Sequence, residues 1–85
     1  MREITISCAG ITTPQMLHEA FQKALSFPDW YGKNLDALHD LLGVIAEDTQ
    51  ITLTDFDQLD GWSLRFRCVL DDAEIENPHL FITYR

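Results

Sequence analysis

The chain has 85 residues, a length that leaves room for one domain built on a single hydrophobic core. Hydrophobic residues make up 46% of it, with only four glycines and three prolines, which excludes collagen-like, low-complexity and disordered classes. No apolar stretch approaches the roughly 20 residues that span a bilayer, and the N-terminus lacks the apolar region of a secretory signal. We therefore expect a single domain over residues 1–85 in a soluble, cytoplasmic protein.

The formal net charge of −8 is concentrated in one part of the chain. Residues 1–35 hold three acidic and three basic residues, whereas residues 36–60 hold seven acidic residues and no Lys or Arg. Negative charge repels phosphate backbones, so direct binding to nucleic acid is disfavoured. The same charge attracts basic proteins and raises their association rate. The alternative is that acidity only keeps a small protein soluble.

The spacing of apolar residues predicts three strands and three helices. In chain order these are a strand over 2–8, a helix over 14–26, a helix over about 35–47, a strand over about 50–54, a short turn near Phe56 and Leu59, a helix over about 61–75 and a strand over 79–84. Thr13 before Pro14, and Asn34 before the second helix, are favoured N-cap residues. Pro28 and Gly32 separate the first two helices.

Helical segments separate the strands in this β-α-α-β-α-β order, which favours a parallel sheet with right-handed crossovers. The predicted fold class is therefore α/β, with a three-stranded parallel sheet packed against three to four helices. Cys8 and Cys68 are expected to be small buried hydrophobic residues, because nothing indicates an oxidising compartment for a disulfide. His18 is expected to be solvated and His79 to lie at the surface or in a cap. No phosphate-binding glycine loop or other cofactor motif is present, so no cofactor is expected.

One group of polar side chains stands out on the predicted second helix. Spacings of three and four residues place Asp36, His39 and Asp40 on adjoining parts of one helix surface. They could form an acid/base pair or a metal site, but a chain this short offers few residues for a closed cleft, and a solvated helix face is the simpler interpretation. Trp30 and Tyr31 lie in the loop that leads into this helix. Exposed aromatic residues beside charges are typical of protein interfaces, although one or both rings could instead fold over the core.

The segment from Phe27 to Leu42 resembles the barstar family of ribonuclease inhibitors, above all in its run Tyr-Gly-Lys-Asn-Leu-Asp-Ala-Leu followed by His-Asp. The resemblance implies a barstar-like fold with three parallel strands covered by helices. It also implies a 1:1 inhibitor that blocks the active site of a basic, extracellular-type microbial ribonuclease (barnase-like and guanyl-specific) before secretion. In that family the loop and second helix enter the nuclease cleft, where acidic side chains mimic substrate phosphates.

The resemblance assigns partner-binding roles to Trp30, Tyr31, Gly32, Asn34, Asp36, His39, Asp40 and Asp72. Asp40 matches the carboxylate that mimics a phosphate, and Asp36 matches its acidic neighbour one turn earlier. The family also uses an acidic residue on its later helix, which falls on Asp72 or, as the alternative, on Asp71. Trp30 stands where the family has a Tyr.

Two positions depart from the family pattern: His39 stands in place of a Trp, and Lys33 in place of a residue that is often acidic. These departures indicate either that the nuclease partner differs from the best-known one or that inhibition has been lost. Two further functions stay open at this stage. One is a binding module of the same fold for another basic protein, and the other is a small enzyme or metal site at Asp36, His39 and Asp40.

Overall fold

The computed structural model of the protein describes all residues from 1 to 85. Three strands and three helices follow one another as β1 (Arg2–Ser7), α1 (Pro14–Leu25), α2 (Leu35–Gly43), β2 (Thr49–Thr54), α3 (Ser63–Glu76) and β3 (Leu80–Tyr84), with a short 3₁₀ turn at Phe56–Gln58 before α3. The strands form one sheet in the order β1-β2-β3, and both neighbouring pairs are parallel. The predicted α/β class with a three-stranded parallel sheet is confirmed.

The core lies on one side of this sheet. Alternate residues of β2 point into it, and Ile51 and Leu53 are fully buried there. Helix α1 packs against β1 and α3 packs against β3, while α2 packs against α3. Leu38 and Leu42, one turn apart on α2, are completely buried, which leaves the opposite side of α2 to solvent. The fold thus presents the polar side of α2 outward.

Two predicted helix starts are confirmed by their hydrogen bonds. The Thr13 hydroxyl accepts a hydrogen bond from the Met16 N–H at 3.2 Å, and Pro14 is the first helical residue of α1. The Asn34 side-chain oxygen accepts from the Ala37 N–H at 2.8 Å and begins α2 in the same way. None of the helices is both long and apolar enough to cross a membrane.

The predicted second helix is too long at its C-terminal end, because α2 stops at Gly43 and not near residue 47. The side-chain amide of Asn77, which caps the end of α3, donates to the carbonyl oxygens of Leu42 (2.9 Å) and Ile45 (3.0 Å). Asn77 is itself buried, and its amide satisfies carbonyls that have no donor within α2. The end of α2 is therefore set by a residue 32 to 35 positions away.

Two single-residue predictions are wrong. His18 is buried at 4% exposure, although it was expected to be solvated. Cys68 is exposed on α3, whereas Cys8 is buried as expected, and both thiols are free. Burial, followed by the nearby charge of Asp55, raises the pKa of the Cys8 thiol to about 11. His79 lies at the surface as expected, with Nδ1 2.8 Å from an Asp48 oxygen.

Candidate protein-binding surface

The loop between α1 and α2 is held in place by short-range hydrogen bonds. Ser26 adopts a left-handed conformation (φ 56°) that ends α1, and the Phe27 N–H donates back to the Gln22 carbonyl at 3.0 Å. The Gln22 side-chain amide and the Tyr31 N–H both donate to the Pro28 carbonyl, at 3.1 and 2.9 Å. The loop therefore leads into α2 with a defined conformation.

Tyr31 and Trp30 are neighbours in this loop but face opposite ways. Tyr31 is buried at 3% exposure, its ring packs on Phe27, and its hydroxyl lies 2.5 Å from Nδ1 of His18. Burial raises the pKa of Tyr31 and lowers the pKa of His18, so both groups are held in their neutral forms. Trp30 is 76% exposed. The expectation that one of the two rings folds over the core is confirmed, and that ring is Tyr31.

Gly32 and Asn34 form the joint between the loop and α2. While the Asn34 oxygen caps α2, its amide nitrogen donates to the Gly32 carbonyl at 3.3 Å. A Cβ atom added to Gly32 would lie 2.9 Å from that nitrogen, closer than real contacts allow. A larger residue here would therefore push against the Asn34 side chain that caps α2, and glycine leaves that cap undisturbed.

Asp36 and Asp40 are exposed on the outer side of α2, one turn apart, and neither has an ion pair or a side-chain hydrogen bond. Asp36 lies in the first turn, where the helix dipole favours an anion, but Asp40 lies in the last turn, where the dipole opposes one. Like charges four residues apart also repel each other. Helix α2 thus carries two free carboxylates at some cost to its own stability.

His39 does not act together with these two carboxylates. Its Nε2 lies 2.7 Å from an Oε atom of Glu76, near the end of α3, and this contact joins α2 to α3. No group of three or more His, Cys, Asp or Glu side chains is arranged to hold a metal ion. A site built from Asp36, His39 and Asp40 together therefore has no support in the geometry.

The two acidic candidates on α3 have different surroundings. Asp71 accepts a hydrogen bond from the Tyr84 hydroxyl at 2.9 Å and lies 3.9 Å from Nε of Arg67, which places it on the side of α3 next to β3. Asp72 is exposed and lies four residues before Glu76, so these two side chains share the side of α3 that meets α2. Glu76 was missed by the sequence analysis, because its partner His39 lies 37 residues earlier in the chain.

The structure therefore divides the predicted contact residues into two groups. Exposed or half-buried side chains lie on the loop, on α2 and on the adjoining side of α3: Trp30, Asn34, Asp36, His39, Asp40 and Asp72, with Gly32 exposed between the first two. We call this set, together with Glu76, the acidic surface. Tyr31 supports it from inside, because its side chain is enclosed in the core.

Two comparisons with known proteins bear on the identity of the chain. A family model described as Barstar (barnase inhibitor) matches residues 1–80. The chain is also 45% identical over 42 residues to a protein of Bacillus subtilis (strain 168) named "Putative ribonuclease inhibitor YrdF". That alignment covers 49% of this chain and 46% of the relative, so the match spans about half the length of the relative. Because the family model covers nearly the whole chain, the protein belongs to the Barstar family, whose members are inhibitors and not enzymes.

Proposed function

We propose that the protein is an intracellular inhibitor, of the antitoxin or immunity type, of a basic, barnase-like microbial ribonuclease. In this proposal one copy binds one nuclease in the cytoplasm before secretion and covers its active site with the acidic surface. Family membership supports the inhibitor role. The observation that carries the proposal is that Asp36 and Asp40 are exposed without any partner in the fold, directly after a loop that exposes Trp30.

The chemistry follows from what a ribonuclease must do. Its active site concentrates cationic side chains to hold the phosphates of RNA, and carboxylates on a helix can satisfy the same groups without offering a bond to cleave. Asp40 is the proposed phosphate mimic, with Asp36 one turn away and Asp72 on the adjoining helix. Trp30 is exposed and contributes apolar contact area, because aromatic side chains often carry much of the binding energy in protein interfaces.

The charge distribution gives this complex a kinetic signature. Seven acidic residues and no basic ones in residues 36–60 produce a negative field that steers a basic protein during its approach. Salt screens that field over about 8 Å at physiological ionic strength, whereas docked charge pairs are shielded from solvent. The association rate should therefore fall steeply with ionic strength, and the dissociation rate should change much less.

The test is a titration of a purified barnase-like ribonuclease with this protein, followed by cleavage of a fluorogenic RNA substrate. We expect activity to fall linearly to zero at about one equivalent. Basic proteins that are not nucleases, such as cytochrome c, serve as controls, because tight binding to them would indicate a general acidic module for basic partners. Full nuclease activity at a large excess of the protein, across several such ribonucleases, would contradict the proposal.

A further inference from the structure

A cavity of about 470 Å³ opens where the N-terminal ends of the three helices meet. Pro14 begins α1 at its rim, Asn34 and Leu35 begin α2, and Trp62 with Phe66 comes from the start of α3. This volume lies in the range of sites that bind small molecules. Asn34 is the one residue of the acidic surface that lines the cavity, and none of the carboxylates does, so the phosphate mimicry proposed above does not account for it.

Two aromatic side chains form the apolar part of the cavity lining. The rings of Trp62 and Phe66 meet edge to face with their centroids 5.7 Å apart, and both line the cavity. The Trp62 side chain packs against the hydrophobic core, but it is only half-buried. Aromatic walls of this kind pack favourably against another planar ring.

His18 supplies a buried polar group to the lining of the cavity. Its residue is 4% exposed, its Nδ1 bonds the Tyr31 hydroxyl, and its Nε2 has no partner in the protein. Every fully enclosed side-chain nitrogen or oxygen in the protein has a hydrogen-bond partner. Since Nε2 of His18 has none, this atom is not fully enclosed, and we infer that it is accessible from the cavity that His18 lines. A phenol is a better donor than acceptor and an imidazole nitrogen is a good acceptor, so Tyr31 donates to Nδ1. Nε2 then carries the hydrogen and is a donor towards the cavity.

Of the remaining polar groups at the cavity, the Asn34 side-chain oxygen is occupied by the Ala37 N–H, and the others are donors or positive charges. Arg65 lines it and forms no ion pair, whereas Arg67, two residues on, lies 3.9 Å from Asp71 and over the Tyr84 ring. The first backbone N–H groups of α2 have no acceptor within the helix, and they form the positive end of its dipole next to Leu35. The cavity therefore offers donors and a cation beside aromatic walls, and no free carboxylate.

We propose that this cavity binds a small carboxylic acid that carries a flat aromatic group. Its carboxylate accepts hydrogen bonds from the Arg65 guanidinium and from Nε2 of His18, and its ring lies against Trp62 and Phe66. A charged hydrogen bond to a planar guanidinium is the strongest contact that this set of residues can make. The negative net charge of the protein opposes the anion, so we expect a dissociation constant on the order of 0.1–1 mM for a two-ring acid.

The test is an NMR titration of the free protein with 2-naphthoate, with 2-naphthamide as the uncharged probe of the same shape. We expect saturable shifts at the Trp62 indole, the His18 ring and the Leu35 amide for the acid, and at least tenfold weaker binding of the amide. Arg65→Gln should weaken 2-naphthoate binding about tenfold or more. Arg67→Gln, which removes the same charge outside the cavity, should leave it unchanged.

Three results would overturn the proposal: equal affinity for the acid and the amide, an unchanged affinity in Arg65→Gln, or shifts confined to another part of the protein. Arg65 is exposed, so its replacement is expected to leave the fold intact, and the undisturbed spectrum of the variant checks this. The titration uses no nuclease. Its outcome is therefore independent of whether the protein inhibits a ribonuclease.

Discussion

On α3, the carboxylates of Asp71, Glu74 and Glu76 each have a partner in the fold: a tyrosine hydroxyl, a backbone N–H of β3 and an imidazole of α2. On α2, Asp36 and Asp40 have no such partner. Both helices carry acidic side chains, although α3 also contains two arginines and α2 contains none. The difference separates carboxylates that hold the fold together from carboxylates that are free to bind another molecule.

The largest expected effect is the loss of nuclease affinity when Asp40 is replaced. We expect Asp40→Ala to weaken the complex by more than about 2 kcal/mol, which is roughly 30-fold, because a docked carboxylate surrounded by cations loses all of its contacts. The matched control is Asp57→Ala in the 3₁₀ turn, which removes the same charge from another exposed position. Titration calorimetry measures both. Equal losses in the two variants would reduce the role of Asp40 to long-range attraction.

The next largest effect is on the free energy of unfolding, and it tests the carboxylates of α3 that have a partner in the fold. Asp71→Ala removes the acceptor of the Tyr84 hydroxyl, and we expect it to lower the free energy of unfolding by about 1–2 kcal/mol. Asp72→Ala, at the exposed neighbouring position of the same helix, should change it by less than about 0.5 kcal/mol. Urea denaturation gives both values. In the binding assay the ranking of the two variants should reverse, so that Asp72→Ala loses more nuclease affinity than Asp71→Ala. If Asp71→Ala were the more affected variant in both assays, the assignment of Asp72 to the acidic surface would be contradicted.

The imidazole groups show the same contrast between the inside and the outside of the fold. His18 is enclosed and its pKa is lowered by burial from 6.5, while His39 lies at the surface beside Glu76. Below about pH 6.5 the unfolded chain takes up a proton that folded His18 resists, so this group makes the protein less stable as the pH falls. The stability difference between the parent and His18→Gln should therefore narrow between about pH 7.5 and about pH 5.5. Denaturation series at both pH values measure it, and a difference that stays constant would show that burial of His18 does not oppose its protonation.

Sequence periodicity was sufficient for the fold, because alternation in the strands and three- to four-residue spacing in the helices reflect which side is buried. It predicted the exposure of Asp36 and Asp40 for the same reason, since both lie opposite the leucines of α2. It did not predict the end of α2 at Gly43, because the amide that binds the last carbonyls belongs to Asn77 at the end of α3. Local patterns carry no information about such a distant donor.

The side-chain positions that the sequence did not predict also depend on distant contacts. His18 lies at the border of the buried side of α1, and it is enclosed because Tyr31 from the loop and Phe66 from α3 both pack against it. Trp30 and Tyr31 are adjacent aromatic residues, and the sequence could state that one ring folds inward but not which one. The partner of His39 was also out of reach, since Glu76 lies 37 residues later. In each case tertiary contact decided between alternatives that were locally equivalent.

The smallest expected effect is a difference in the free energy of unfolding between variants of the two free carboxylates, Asp36 and Asp40. Asp36 lies in the first turn of α2 and Asp40 in the last, so removal of each charge relieves the same mutual repulsion but acts oppositely on the helix dipole. We expect Asp40→Asn to be more stable than Asp36→Asn by about 0.5–1 kcal/mol at low salt, with Asp40→Asn at or above the parent. Urea denaturation at about 20 mM and at about 1 M NaCl measures this, and the difference should shrink at high salt because exposed charges are screened. If Asp40→Asn were the less stable variant, Asp40 would have a partner in the fold, and its availability for a nuclease would have to be reconsidered.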